Sequence, residues 1–338
     1  MAAWKELWQL RLDAPVSRIV PSPTGTHLAI VTVDGSNSIL CSDTGRVLHE
    51  LPCHGLGTTS ASWRADGSVL ATGGQDKTLK FWNPATGACL LEREMPGWTD
   101  HLAWAPSSQP NDSLLALASG KKISLYDTDG KCARVLAERP CHVLSLEWKD
   151  GGQEFYTGGY EGVLLWKACT GSLVRHFEFK NPMACMSVSS ASPWIACGHH
   201  DKCIHICNTK KPTDPLRMSG YEAKVTSVSW DHTGRWLATN GGTTPVVWDC
   251  SGAGPEGTRP AMLEWHEELV EQVLFEPKSP FLATGDRAGG LAVWQPEKHD
   301  QVLADGAVEG PVSALTWIAP GILIASSGSG HIVAAKIH

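Results

Sequence analysis

The stretch that decides the fold is ATGGQDKTLKFWNPATG, residues 71–87. It reads as a strand, a tight turn, a second strand and another tight turn, because short β-prone runs are punctuated by Gly, Asp, Asn and Pro. Its one tryptophan, Trp82, stands at the end of the second strand beside Asn83. Weaker copies recur as YTGGYEGVLLWKACTG, CGHHDKCIHICNTK, ATNGGTTPVVWDCSG and ATGDRAGGLAVWQPE. Alignment on Trp82 gives the series Cys41, Trp82, Tyr126, Trp166, Cys207, Trp248, Trp294 and Ala335, at intervals of 41, 44, 40, 41, 41, 46 and 41 residues. That period is the one expected of four-stranded propeller blades, about 40–45 residues.

Each unit has one internal order. A β-rich run such as VTSVSW (residues 225–230) is followed by a turn such as DHTG and a second strand, RWLAT. A Gly-rich turn then leads to the strand with the marker aromatic, and a TG-like turn to a more polar fourth strand. Strands of this length at such spacing are an all-β signature, and no segment has the length and 3.6-residue period of a substantial helix. The last unit, from Val312, stops after its third strand at HIVAAKIH, while an isolated strand-like segment, WKELWQLRL, precedes the first unit. Pairing the two completes the last blade and removes exposed sheet edges. The expected fold is therefore all-β: a single closed β-propeller over residues 1–338, built of four-stranded antiparallel blades. Eight blades are expected, seven being the alternative. Their approximate spans are 14–55, 56–97, 98–141, 142–181, 182–223, 224–268, 269–310, and 311–338 with the closing strand 1–13.

Composition agrees with this plan and excludes others. With 42% hydrophobic and 19% charged residues, the 338-residue chain can bury a large core. The 34 glycines and 21 prolines form no low-complexity block and serve as punctuation, while fifteen tryptophans against six phenylalanines call for a regular structural use. No apolar run approaches the ~20 residues that span a bilayer, and MAAWKELWQL lacks the basic start and apolar run of a signal peptide. A cytoplasmic location without membrane attachment is expected, with the eleven cysteines as reduced thiols. A net charge of −7 disfavours general nucleic-acid binding, the lysine pairs beginning at Lys121 and Lys210 being local exceptions.

The second unit carries a family resemblance: His54 lies nine residues before Trp63, and Thr72, Asp76 and Trp82 follow. On these residues and the repeat, the chain resembles the WD-repeat proteins over essentially its whole length. The resemblance implies a hydrogen-bonded chain through His54, Thr72, Asp76 and Trp82, since a buried indole N–H, imidazole and carboxylate all need partners. Other blades depart from the pattern. Blade seven has His266, Thr284 and Trp294, but Ala288 where Asp is expected, and whether Asp286 takes over is a question for the structure. Blade five keeps Asp201 but has Cys207 for Trp, and blade six has Gly220 and Tyr221 for Gly-His.

A fold does not name a function, and no catalytic constellation stands out. SSGSGH, residues 326–331, is Gly-rich but lies between two strands, whereas a phosphate loop needs a following helix. In CGHHDKCIHIC, Cys203, His205 and Cys207 alternate onto one strand face. They fit core filling better than a zinc site, which usually draws on two converging C-x₂₋₄-C pairs.

WD-repeat proteins commonly recognise partners on the narrow face, where first strands and the turns before third strands surround the channel. The resemblance thus points to the residues flanking the first valine-like position of each blade and to the third residue after the Thr72-like position. In blade two these are Gly57, Thr59 and Gln75, mostly small or neutral. The aromatic and ionisable candidates are Trp98 and Asp100 of blade three, His142 and Tyr160 of blade four, and His200 of blade five. Lys224 of blade six and Glu271 and Arg287 of blade seven complete them. Blades one and eight offer Pro15, Ser17, Pro311 and Ser313, with Asp34 the exception. The expected function is a non-catalytic, monomeric scaffold without cofactor that binds a protein or peptide. The alternative is a ligand- or metal-handling propeller, with an enzyme included in that class, that uses Asp100, His142 and His200 as an open metal site at the channel mouth.

Overall fold

The computed structural model describes residues 4–52, 54–106, 113–211, 215–252, 254–298 and 300–337. These residues form strands and turns with no helix, so none has a helix long and apolar enough to cross a membrane. The strands assemble into eight four-stranded antiparallel sheets, the blades of a β-propeller.

Blade two shows why the sequence folds this way. Its strands are Thr58–Trp63, Leu70–Gly74, Thr78–Trp82 and Cys89–Glu94, hydrogen-bonded in chain order. The two central strands are buried almost throughout because both faces are covered, and they use small or apolar residues. The fourth, CLLERE, is half exposed and charged, which blunts the outer edge against further pairing. The last blade runs in the order Trp4–Arg11, His331–Ile337, Ile322–Ser327 and Val312–Ala319, so the N-terminal strand completes it. Trp8 is buried there, and a Cβ placed on Gly306 would lie 2.4 Å from the Trp4 ring. Only glycine admits that indole.

The blades group into two compact units, one of residues 14–180 and one of residues 181–338 with 1–13. Within the first, apolar clusters join blade one to two, two to three and three to four. Within the second, they join five to six, six to seven and seven to eight. Tryptophans at first-strand ends add a repeated lock: the indole N–H of Trp63 donates to Val20 O at 2.9 Å and that of Trp148 to Ala103 O at 2.8 Å. In the second unit, Trp230 donates to Ser187 O and Trp317 to Leu274 O, both at 3.1 Å. Trp104 stands at the same place, but its buried indole N–H has no hydrogen-bond partner among the described residues. Much of the tryptophan excess is thereby accounted for. Serines reinforce the lock, Ser60 and Ser62 accepting the amides of Leu102 and Trp104 at 3.0 Å.

The register corrects one position of the repeat series. Leu70 pairs with Trp82 in blade two, and the corresponding pair in blade one is Leu28 with Leu40. The first marker is therefore Leu40, fully buried, rather than Cys41, which pairs with His27 nearer the turn.

Candidate partner-binding site

The polar networks inside the blades fix the strand ends that carry the candidate residues. In blade two, the Trp82 indole N–H donates to Thr72 Oγ1 at 2.8 Å, and His54 Nε2 lies 2.9 Å from the same oxygen. His54 Nδ1 lies 2.9 Å from Asp76 Oδ1. One tautomer satisfies every group: Nδ1–H donates to the carboxylate, and the Thr72 hydroxyl donates to Nε2 while accepting from the indole. Burial holds the His54 pKa below its ordinary value, against the pull of Asp76. The carboxylate also accepts the Thr78 amide at 3.1 Å, which fixes the turn, with Lys77 in the left-handed region at φ 60.

Blade seven builds the same network with a displaced acid. His266 contacts Thr284 Oγ1 and Asp286 Oδ2, each at 2.7 Å, and the Trp294 indole donates to Thr284 at 2.9 Å. Asp286 thus does the work for which Ala288 has no side chain. In blade six, the Tyr221 hydroxyl accepts from the Trp248 indole at 3.0 Å and lies 3.1 Å from Thr239 Oγ1, bridging them as a phenol. Its pKa is pushed up to about 12, first by burial.

Blade four substitutes a different chemistry that the repeat alignment did not single out. Arg139 stands nine residues before Trp148, in the place of His54, and Glu161 stands four after Thr157, in the place of Asp76. Arg139 Nε donates to Glu161 Oε1 at 2.7 Å, with the Arg139 side chain wholly buried. The Trp166 indole still donates to Thr157 at 2.8 Å. In blade five, His199 and His205 are buried together, His205 Nδ1 lying 3.0 Å from His199 Nε2. Burial, and then the charge of His205, brings the His199 pKa down to about 4. Cys203, His205 and Cys207 are all buried.

In every blade the start of the first strand pairs with the end of the second, as Thr58 does with Gly74. The lead-in to the first strand and the turn before the third therefore share one end of the blade. The candidates fall at these ends. In the first unit, the Asp100 amide donates to Ala118 O at 2.9 Å, and Asp100 Oδ2 accepts the Gly120 amide at 2.6 Å. Gly120 has φ 58, a conformation that favours glycine. Its carbonyl accepts the Val143 amide at 2.8 Å, tying this turn to the next blade. Around this brace, Trp98, Asp100 and His142 line one cavity of about 730 Å³, with Thr59 also in its wall. Trp98, in the lead-in to the first strand of blade three, is 50% exposed, and Tyr160, on the turn of blade four that corresponds to that of Gly120, is 51% exposed.

In the second unit, Lys224, Glu271 and Arg287 line a cavity of about 410 Å³. Arg287 Nε donates to Glu271 Oε1 at 2.7 Å, and its amide to Leu269 O at 2.9 Å. His200 is exposed, its amide donating to Pro182 O at 2.9 Å. Among the described residues no group of three or more His, Cys, Asp or Glu side chains is placed to hold a metal ion, and this includes Asp100, His142 and His200. The Gly-rich residues 326–331 span the turn between the strands Ile322–Ser327 and His331–Ile337, with no helix after it.

Three lysines of the larger cavity, Lys77, Lys121 and Lys122, were not among the sequence candidates. The lysine pair at 121 was visible in the sequence, but nothing there placed it beside Trp98.

The family model for "WD domain, G-beta repeat" matches residues 45–83, 167–208 and 214–249. With eight blades and the networks above, the chain carries repeats of this type and is similar to the WD-repeat β-propeller proteins. It is similar to the target of rapamycin complex subunit LST8 of Mus musculus, with 24% identity over 71% of this chain and 76% of the relative. Autophagy-related protein 16 of Arabidopsis thaliana is 21% identical over 84% of this chain and 56% of that protein. The human F-box-like/WD repeat-containing protein TBL1X is 24% identical over 52% of this chain and 33% of its own length. Among solved structures, the computationally designed Ika8 protein superposes with a TM-score of 0.82, at 19% identity over 98% of this chain and 100% of that one. That last likeness is one of fold.

Proposed function

We propose that this protein is a non-catalytic adaptor that binds a protein or peptide partner with the blade ends bearing Trp98, Asp100, His142, Tyr160, His200, Lys224, Glu271 and Arg287. The observation that carries the reading is the half exposure of Trp98 and Tyr160. Large aromatics held on braced turns contribute strongly to interfaces when a partner buries them. Asp100 and Glu271 hold neighbouring groups in place, while Trp98, His142 and Tyr160 are the contact groups. The relative LST8 is by name a subunit of a complex, which supports the reading of this chain as a protein that works with partners. In this reading the chain works as a cytoplasmic monomer without cofactor or general affinity for nucleic acid.

The test is capture of partners from a lysate by wild-type protein and by the combined variant Trp98→Ala, His142→Ala, Tyr160→Ala and Arg287→Ala. Loss of the wild-type partners is expected for that variant. A control variant, Leu173→Ala with Val174→Ala, truncates two side chains that are about half exposed on the outer strand Ser172–Glu178 and should retain them. Loss in the control alone would move the binding surface to the outer strands.

A further inference from the structure

We infer that the larger cavity takes an acidic peptide segment, rich in Asp and Glu, whose apolar side chain lies against Trp98. This rests on the reading of the blade ends as the partner-binding surface and adds the chemistry of the partner. Lys77, Lys121 and Lys122 all line the cavity and are exposed. None of the three forms an ion pair among the described residues, whereas Lys80 and Lys149 elsewhere are matched to Glu92 and Glu154. Against these three lysines the wall holds two carboxylates, Asp100, which accepts the Gly120 amide, and Glu138. In a chain of net charge −7 the cavity mouth thus carries a local excess of positive charge.

The lysines stand on fixed backbone. The Lys77 carbonyl accepts the Met95 amide at 2.7 Å, with Lys77 at φ 60 beside the Asp76 network. The Lys121 carbonyl accepts the amide of Arg139 at 3.0 Å, and Arg139 is anchored by Glu161. Lys122 pairs with Ser119 across the strand turn. Three ammonium groups on rigid turns around a cavity of about 730 Å³, with an indole and the exposed Leu144 in the same wall, suit carboxylates flanking an apolar anchor. Complementary charge of this kind steers association and selects partners.

The test uses fluorescein-labelled short peptides followed by fluorescence polarisation. One peptide contains Asp, Glu and two Leu. A second has Asn and Gln for every carboxylate, and a third is the second with phosphorylated Ser added. Wild-type protein is expected to bind the acidic peptide at least ~10-fold more tightly than the neutral one, with affinity falling as salt rises. The variant Lys77→Ser, Lys121→Ser, Lys122→Ser should lose that ~10-fold preference. Trp98→Ala should weaken binding while keeping the preference for acid. Equal binding of acidic and neutral peptides, an unchanged preference in the lysine variant, or binding of the phosphorylated peptide alone would each overturn the inference. The capture experiment separates the two levels. If the four-residue variant loses partners but the acidic peptide shows no preference, the surface stands and only the acidic partner is wrong.

Discussion

Replacing Glu161 with Leu would leave the Arg139 guanidinium buried without its counter-charge. The Arg139 side chain is 0% exposed and that of Glu161 14%, with Arg139 Nη2 2.5 Å from Glu161 Oε1. Breaking such a buried pair from one side costs about 3–5 kcal/mol, because the remaining charge is stranded in low dielectric. Arg139→Met should cost a similar amount by stranding Glu161. The pair is itself incompletely satisfied, since Arg139 Nη1 and Glu161 Oε2 are buried without hydrogen-bond partners among the described residues. Removing both charges at once, as Arg139→Met with Glu161→Leu, should therefore leave stability within about 1–2 kcal/mol of the parent. Denaturant unfolding of the four proteins at neutral pH, at equal slopes, measures the cycle. Arg139→His with Glu161→Asp, which writes blade two's chemistry into blade four, should likewise fold stably. If the double variant loses the sum of the single losses, Arg139 and Glu161 are not coupled. The substitution of an ion pair for the His–Asp link would then be mistaken.

Acid should weaken the fold in a defined window. His199 is held at about 4 by burial and His205, while an unfolded histidine titrates near 6.5. Between those values the unfolded chain binds the proton and the folded chain does not. The contribution is therefore complete above pH ~6.5 and is lost as pH falls towards 4, amounting to on the order of 3 kcal/mol. Unfolding midpoints that stay flat from pH 7 to 4.5 would show these imidazoles to be hydrated. Deleting residues 1–13 should bare the edge of His331–Ile337 and remove Trp4 and Trp8 from the last blade. Aggregation or a large fall in melting temperature is expected, and a truncated protein as soluble and heat-stable as the parent would contradict the pairing.

The sequence made the fold legible because a blade repeats its spacing even where its residues change. Trp82, Trp166, Trp248 and Trp294 keep the interval, and their neighbours can erode without moving them. Blade one was misread by one residue, since neither Leu40 nor Cys41 is aromatic and only strand pairing distinguishes them. The polar networks were legible where they use His and Asp, as in blade two. They were hidden in blade four, where a guanidinium with a carboxylate fills the same space, while in blade six the sequence showed Tyr221 in the histidine position but not its bridging role. The nine-residue offset from the first-strand tryptophan, which already placed Tyr221 before Trp230, would also have found Arg139 before Trp148. The cavity lysines were less accessible to such reasoning. Lys77 and Lys121 are more than forty positions apart, and only the turns that follow two successive second strands bring them to one mouth.

The most direct measurement of the central claim is hydrogen–deuterium exchange of this protein alone and with the partner recovered by capture. The account predicts slowed exchange at the blade ends around Trp98, Gly120 and His142, with the outer strands Cys89–Glu94, Cys132–Val135 and Ser172–Glu178 unchanged. Slowed exchange confined to those outer strands, with the blade ends unaffected, would contradict it.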